Sequence, residues 1–170
     1  MPKVIISYVK WIDKASRFFG RIAMYLVLAM IGILLYATLS RGFFNVPVIW
    51  AVEMAQFTMA AYYLLGGGYS LQNEAHVRMD VFYGNWSRTT KAKVDVVTSF
   101  FLLFYMLVLL YGGYGSTEYA LEYNTHKNSS WGPPMAPIKV IMTFGIFLML
   151  LQVIATFFKD IAIARGEEIK

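Results

Sequence analysis

Four long apolar stretches divide the chain, and each is free or nearly free of charged residues. They cover residues 22–39, 54–72, 96–115 and 140–158, so each is 18 to 20 residues long. At a rise of 1.5 Å per residue, a helix of this length measures about 27–30 Å, the thickness of a bilayer hydrocarbon core. A helix in a soluble protein needs a polar outer face, which these stretches lack. The pattern therefore predicts an all-α integral membrane protein with four transmembrane helices.

Positive charge alternates between the connecting segments, and this predicts the orientation of the chain. Twelve of the 15 basic residues lie before the first stretch, between the second and third, or after the fourth. They are Lys3, Lys10, Lys14, Arg17, Arg21, Arg78, Arg88, Lys91, Lys93, Lys159, Arg165 and Lys170. Only Arg41, Lys127 and Lys139 fall in the other two connections. By the positive-inside rule, both termini should face the cytoplasm.

The segment before the first span, residues 1–21, has a row of five basic residues and one serine on one helical face. Spacings of four and three relate Lys3, Ser7, Lys10, Lys14, Arg17 and Arg21. A basic stripe opposite aromatic and aliphatic residues predicts an amphipathic helix in the cytoplasmic headgroup plane, with a bend near Gly20. The alternative is a plain helical extension of the first span. This basic lead is too long for a signal peptide and no small-x-small cleavage site follows, so we expect the span to remain as an anchor.

Composition bounds the remaining possibilities. With 170 residues, of which 58% are hydrophobic, residues 1–170 are expected to form a single membrane domain. In a soluble protein, a net charge of +5 would suggest nucleic acid as a binding partner. Here the basic residues lie beside the spans, where topology and anionic headgroups explain them, so we expect membrane lipids and no nucleic acid as partners. The chain has no cysteine, which excludes a disulfide framework and any metal site built on sulfur.

The second span has a tryptophan and a carboxylate at its start and a run of three glycines further along. Trp50 precedes it as an interfacial aromatic, and Glu53 lies at its outer end. A carboxylate at the membrane boundary is usually paired, and Arg41 on the same side is the expected mate within the chain. A contact of Glu53 with another subunit is the alternative. Further along, Gly66–Gly68 predicts close helix packing, with local unwinding as a second possibility.

The connection between the second and third spans is the most distinctive polar segment. Glu74, His76, Arg78 and Asp80 alternate with apolar residues. Alternation predicts an extended stretch with one face on protein or lipid and the other in water. The segment is then either a polar loop that positions the second span or a docking patch for another protein.

The chemistry that the chain lacks narrows its function. Its two histidines, His76 and His126, are expected outside the spans and on opposite sides of the membrane, which does not suit haem ligation. Glu118 and Glu122 lie one helical turn apart, but two acids at that spacing are typical of a solvated helix face and not of a metal site. The spans contain no series of ionisable residues for moving protons or ions. We expect no cofactor, no metal and no catalytic residue, as in a supporting subunit.

Several features together resemble the small membrane subunit, the Q component, of tripartite ATP-independent periplasmic (TRAP) transporters. The basic amino-terminal helix leads into a first span ending in Ser40-Arg41, and Trp50-Ala-Val-Glu53 opens the second span. The segment His76-Val-Arg-Met-Asp80 is similar to a characteristic stretch of that family, and Trp131 with a proline-rich outer loop precedes the last span. The resemblance covers roughly residues 15 to 160, and the order of these motifs carries it.

The resemblance implies a role without catalysis. Such a subunit binds a much larger permease subunit, which carries the substrate and sodium sites, and a periplasmic protein delivers a small organic anion. It implies a bacterial inner-membrane location and symport. Arg41, Trp50, Glu53, His76, Arg78 and Asp80 are then the expected interface or structural polar contacts. One departure is that the family often has two adjacent acids after the tryptophan, whereas Met54 follows Glu53 here.

Two other classes of protein remain as alternatives. A small four-helix membrane enzyme acting on glutathione or lipids would need basic and tyrosine residues gathered at one face. Tyr62, Tyr63, Tyr69 and Arg78 are available but form no recognised constellation. A stand-alone small exporter would need a carboxylate at mid-membrane. Glu53 is the sole candidate for that role, and it lies near the end of its helix.

Overall fold

The computed structural model describes residues 3–73 and 88–164, and these ranges are helical apart from the connecting loops. The helices are α1 (Lys3–Phe44), α2 (Ala51–Gln72), α3 (Arg88–Glu122) and α4 (Ala136–Ala164). No β-strand occurs within the described ranges, where a single isolated bridge joins His126 and Pro134. The expectation of an all-helical protein is confirmed.

Three of these helices are long and apolar enough to cross a membrane. They are the segments Val4–Phe44 of α1, Val94–Glu122 of α3 and Ala136–Ile163 of α4. The sequence predicts four spans, and α2 is the one that hydropathy does not support. Its 22 residues make a helix about 33 Å long, which is sufficient. Its hydropathy is low because it combines three glycines and three tyrosines with Glu53, Gln56 and Gln72.

α1 unites the amino-terminal segment and the first apolar stretch in one helix. Its 42 residues correspond to about 63 Å. The helix continues through Gly20, where a Cβ atom would lie 2.6 Å from the Cβ of Tyr69 in α2. Glycine at this position therefore makes room for a neighbouring helix. Val9 and Ile12 are buried against Ala155 of α4, so α4 covers part of the apolar face that the sequence predicts to rest on lipid.

α4 is the central helix of the arrangement. It packs against α3 and α2 along its length and against the first half of α1, while α2 also packs against α1. In the most apolar 18 residues of α4, 33% of residues are buried, compared with 6% in the corresponding parts of α1 and α3. Leu71, Met106, Leu150 and Val153 form the apolar cluster that joins α2, α3 and α4. The outer sides of α1 and α3 remain uncovered.

The glycine run of α2 lies where three helices approach one another. A Cβ on Gly67 would meet the Sδ of Met149 at 2.6 Å, and one on Gly68 would lie 3.3 Å from the Oγ of Ser16. α2 stays helical through this run and ends at Gln72. The predicted close packing is confirmed, and the local unwinding considered as an alternative does not occur. Packing against α1 and α4 stabilises a helix that three glycines would otherwise weaken.

Two loops lie at one end of the helices, here called the loop end: residues 45–50 and residues 123–135. Asn45 has a φ of 54°, the left-handed conformation that commonly terminates a helix. In the longer loop, the Lys127 amide donates to the Pro133 carbonyl at 3.0 Å and the Met135 amide to the Thr125 carbonyl at 2.9 Å. The Lys127 Nζ donates to Gln56 Oε1 at 2.6 Å, so this loop is tied to the start of α2.

Gly145 provides a test of the contact between α2 and α4. A Cβ there would lie 2.8 Å from the Cβ of Leu64 and 3.1 Å from its backbone carbon. Because backbone cannot move aside as a flexible side chain does, we expect Gly145→Ala to lower the free energy of unfolding by about 1–3 kcal/mol. Gly32→Ala is the matched control, since no atom lies within 4 Å of its Cβ position.

The melting temperature of each purified variant in detergent, followed by tryptophan fluorescence, measures the difference. Gly145→Ala should melt below the unsubstituted protein, whereas Gly32→Ala should match or slightly exceed it because alanine favours helix. Equal melting temperatures for the two variants would show that α2 and α4 are not packed at the distance described.

Candidate functional site

A buried polar cluster joins the first half of α1 to the second half of α4. α1 contributes Asp13 and Ser16, which share a helix face because they are three residues apart. α4 contributes Gln152 and Lys159, seven residues and so two turns apart. We call these four residues the α1–α4 polar cluster.

Gln152 is the central member of this cluster. Its Oε1 accepts a hydrogen bond of 2.6 Å from Ser16 Oγ, and its Nε2 donates one of 3.1 Å to Asp13 Oδ1. Gln152 is fully buried and Ser16 is 4% exposed. Both ends of the amide are therefore satisfied by α1, as a buried amide requires.

Lys159 neutralises the carboxylate of the cluster. Its Nζ lies 2.9 Å from Asp13 Oδ1 and 2.7 Å from Oδ2. Both side chains are only partly accessible, at 26% for Lys159 and 16% for Asp13. A pair this sheltered is less screened than a surface ion pair, and the bond from Gln152 further satisfies the carboxylate. The cluster is thus neutral overall, and each of its four side chains forms at least one hydrogen bond within it.

Apolar and aromatic contacts flank the polar cluster on both sides. The Tyr8 hydroxyl donates to the Leu151 carbonyl at 3.1 Å, and its ring packs edge-on against Phe158 at 6.5 Å. Beyond Ser16, the rings of Phe19 and Phe144 meet at a centroid distance of 5.3 Å. Because hydrogen bonds are directional and their surroundings are apolar, this interface specifies one register of α1 along α4.

A second polar cluster joins α3 to α4 near the loop end. Thr117 Oγ1 lies 2.8 Å from Thr143 Oγ1, 2.8 Å from the Gly113 carbonyl and 3.0 Å from the Lys139 carbonyl. The Lys139 Nζ donates to the Ser116 carbonyl at 3.2 Å. Thr117 is buried, so its hydroxyl takes the place of water as a hydrogen-bond partner for backbone carbonyls of both helices. α4 is consequently held by hydrogen bonds at both of its ends, to α1 at one and to α3 at the other.

Glu53 and Arg41 do not form the ion pair expected from the sequence. Glu53 is 7% exposed near the start of α2, whereas Arg41 is exposed near the end of α1. Both residues lie near the loop end, but that does not make their side chains face each other. Glu53 Oε2 is buried and has no hydrogen-bond partner among the described residues.

Trp50 connects the start of α2 to α1. Its ring stacks on that of Tyr36 with a centroid distance of 6.2 Å and an interplanar angle of 24°. The remaining predicted site residues, His76, Arg78 and Asp80, lie outside the described residues. The structure thus places Arg41, Trp50 and Glu53 near the loop end without joining them into one site.

Sequence reasoning missed the α1–α4 polar cluster. A signal for it existed, because Gln152 is an amide inside an apolar stretch and Asp13 is an acid within a basic segment. Polar residues at such positions usually have a partner in the protein. The partner itself was not readable, since 139 residues separate Gln152 from Asp13.

These features are those of a helical membrane protein. Its helices are long and apolar, and buried polar groups form hydrogen bonds from one helix to another. The chain belongs to the family of the DctQ component of tripartite ATP-independent periplasmic transporters, whose family model matches residues 10–162. No curated protein matches the chain. The matched range includes all four residues of the α1–α4 polar cluster.

Family membership confirms the resemblance noted in the sequence and has several consequences. This is a family of transporter components and not of enzymes. In TRAP systems it works with a large permease and a periplasmic binding protein. The family and the apolar helices together indicate an inner-membrane protein. The chain is therefore a small permease component of this class of transporter.

Substitution of Gln152 tests the polar cluster. Gln152→Leu keeps a similar volume but removes both hydrogen bonds to α1 and leaves Ser16 without its acceptor. We expect the free energy of unfolding to fall by about 1–3 kcal/mol, the usual cost of unsatisfied buried polar groups. Thermal unfolding in detergent measures the change.

Ser16→Ala and the double variant complete a thermodynamic cycle. If the 2.6 Å bond couples the two helices, the double variant should lose less stability than the sum of the single variants, with a coupling of about 0.5–1.5 kcal/mol. Strictly additive losses would contradict a direct bond between Ser16 and Gln152.

Proposed function

We propose that this chain is the fixed scaffold of a TRAP-type secondary transporter. It holds the large permease subunit in place while that subunit carries out sodium-coupled uptake of a small organic anion. A periplasmic binding protein delivers the solute, and the large subunit contains the solute and ion sites. The role of this chain is mechanical, because a scaffold must keep its shape while a neighbouring part moves.

The observation that carries this proposal is the locking of α4 at both ends. Hydrogen bonds tie it to α1 through Gln152 and to α3 through Thr117. Close contacts at Gly67 and Gly145 tie it to α2. An assembly restrained in this way resists shear between its helices, and shear is the kind of motion by which packed helices usually rearrange.

A large apolar face remains available for the partner. On α3, six aromatic side chains are 57–83% exposed, namely Phe100, Phe101, Phe104, Tyr105, Tyr111 and Tyr114. The opposite side of α3 packs against α4. Aromatic residues contribute strongly to protein interfaces because they bury a large area at a small cost in conformational entropy.

We include α2 as a fourth span, with both termini in the cytoplasm. α2 lies alongside α1, with Trp50 near Tyr36 at one end and Tyr69 near Gly20 at the other. It therefore covers the same depth as about 16 residues of α1, or about 24 Å. The distribution of basic residues supports the cytoplasmic termini.

Six polar or aromatic residues are proposed as interface or structural contacts: Arg41, Trp50, Glu53, His76, Arg78 and Asp80. Glu53 has the strongest support, because a buried carboxylate oxygen without a partner is costly and gains most from a new donor. Arg41 is exposed near the loop end and is free to contact another chain.

Co-purification tests the proposed role most directly. The tagged chain is isolated from its native membrane in mild detergent, and mass spectrometry identifies what elutes with it. We expect a stoichiometric, very hydrophobic partner with several times as many spans. An untagged strain treated in the same way is the control. Recovery of the chain alone or of a self-assembled dimer would contradict the scaffold and favour the enzyme or exporter alternatives.

Glu53→Ala separates the scaffold from a stand-alone exporter. In the scaffold, loss of this contact should reduce the recovered partner by about fivefold, equivalent to roughly 1 kcal/mol, and uptake should fall in parallel. Glu118→Ala is the matched control, because Glu118 is an exposed acid near the same end of the molecule. Transport lost from Glu53→Ala with unchanged assembly would instead favour a coupling role for this carboxylate.

A further inference from the structure

The first half of α1 exposes a row of positive charge on the side away from α4. Lys10, Lys14, Arg17 and Arg21 follow one another at spacings of four, three and four, so they share one face of the helix. All four are exposed. Together they extend over about 17 Å of helix, and we call them the basic stripe.

The charges of the basic stripe are not compensated within the described residues. None of its four side chains forms an ion pair with another described residue, and the Arg17 Nε donates to the Asp13 backbone carbonyl at 3.2 Å. Asp13, the acid of this segment, is already bound to Lys159 and Gln152. Four exposed cations in one row are therefore available to an anionic partner from outside these residues.

An aromatic edge lies directly beside the basic stripe. Trp11 is 67% exposed and Phe18 is 59% exposed, and they lie two turns apart along the helix. They lie about 40–120° around the helix from the individual cations. Since the α1–α4 polar cluster holds the opposite face, α1 cannot rotate to cover these rings with its own protein. In a lipid layer, such cations can contact the headgroups while the neighbouring aromatic rings enter the adjacent acyl region.

We propose that the basic stripe, together with Trp11 and Phe18, is a binding site for anionic phospholipid. The lysine and arginine side chains pair with headgroup phosphate oxygens, and arginine does so through two parallel hydrogen bonds. The two rings enter the boundary between headgroups and acyl chains. This site is independent of the proposed transport role, because it needs only α1, its contact with α4 and a lipid surface.

Lipid titration of the full chain tests the site. The purified protein in detergent is titrated with phosphatidylglycerol and, separately, with phosphatidylethanolamine of the same acyl chains, and native mass spectrometry counts the bound lipids. We expect about tenfold or greater preference for phosphatidylglycerol. The variant K10Q/K14Q/R17Q/R21Q should lose this preference, while K10R/K14R/R17K/R21K, which keeps every charge, should retain it.

Fluorescence of Trp11 gives a second measurement that leaves the basic stripe intact. In a chain with Trp50, Trp86 and Trp131 replaced by phenylalanine, Trp11 is the single indole. Brominated phosphatidylglycerol in nanodiscs should quench it more strongly than brominated phosphatidylethanolamine at the same mole fraction, and added salt should reduce the difference.

Several results would overturn the proposal. They are equal binding of the two lipids by the unsubstituted chain, unchanged preference in the neutralised variant, or equal quenching by the two brominated lipids. Loss of a co-purifying protein from the neutralised variant, with lipid preference retained, would assign the stripe to a protein contact instead.

Discussion

The hydrogen bonding of Gln152 is the constraint on which the arrangement of the helices depends. Its amide is completely buried, so both its donor and its acceptor must find partners in the protein. Ser16 and Asp13 supply them only when α1 lies in one register and one rotation against α4. A shift of α1 by one residue would rotate these side chains by about 100° and leave the amide unsatisfied.

The positions of the other elements follow from this register. With Asp13 and Ser16 turned towards α4, the continuing helix brings Gly20 to Tyr69 and Ala23 to Gly66. α2 is thereby confined between α1 and α4, where its glycines permit close approach. The same rotation directs the four cations of the basic stripe away from α4.

Much of the helical architecture was predictable because long apolar stretches have few alternatives in a bilayer. The close packing at Gly66–Gly68 was also predictable, since small side chains in a span usually mark an interface. The limits of the helices were less so: Glu118 and Glu122 lie beyond the third apolar stretch, which ends at residue 115, yet they belong to α3. A helix that leaves the hydrocarbon can continue, so hydropathy marks the span and not the end of the helix.

The polar contacts were harder to predict for a different physical reason. Hydropathy and charge place a residue along the membrane normal, but they do not say which way a side chain faces around its helix. Arg41 and Glu53 both lie near the loop end and still do not meet. Asp13 and Lys159 do meet, although 146 residues separate them. Both lie in terminal segments where the sequence shows an excess of basic residues but not which side chains pair.

The length of α1 has a mechanical consequence. A single helix of 42 residues is about twice as long as the hydrocarbon core is thick, and its first half is fastened to α4. α1 therefore cannot tilt in the bilayer independently of α4. Local thinning or thickening of the bilayer around Trp11 and Phe18 would tilt α1 and α4 together. The loop at the other end of α1, which leads to Trp50, would then change its depth in the bilayer.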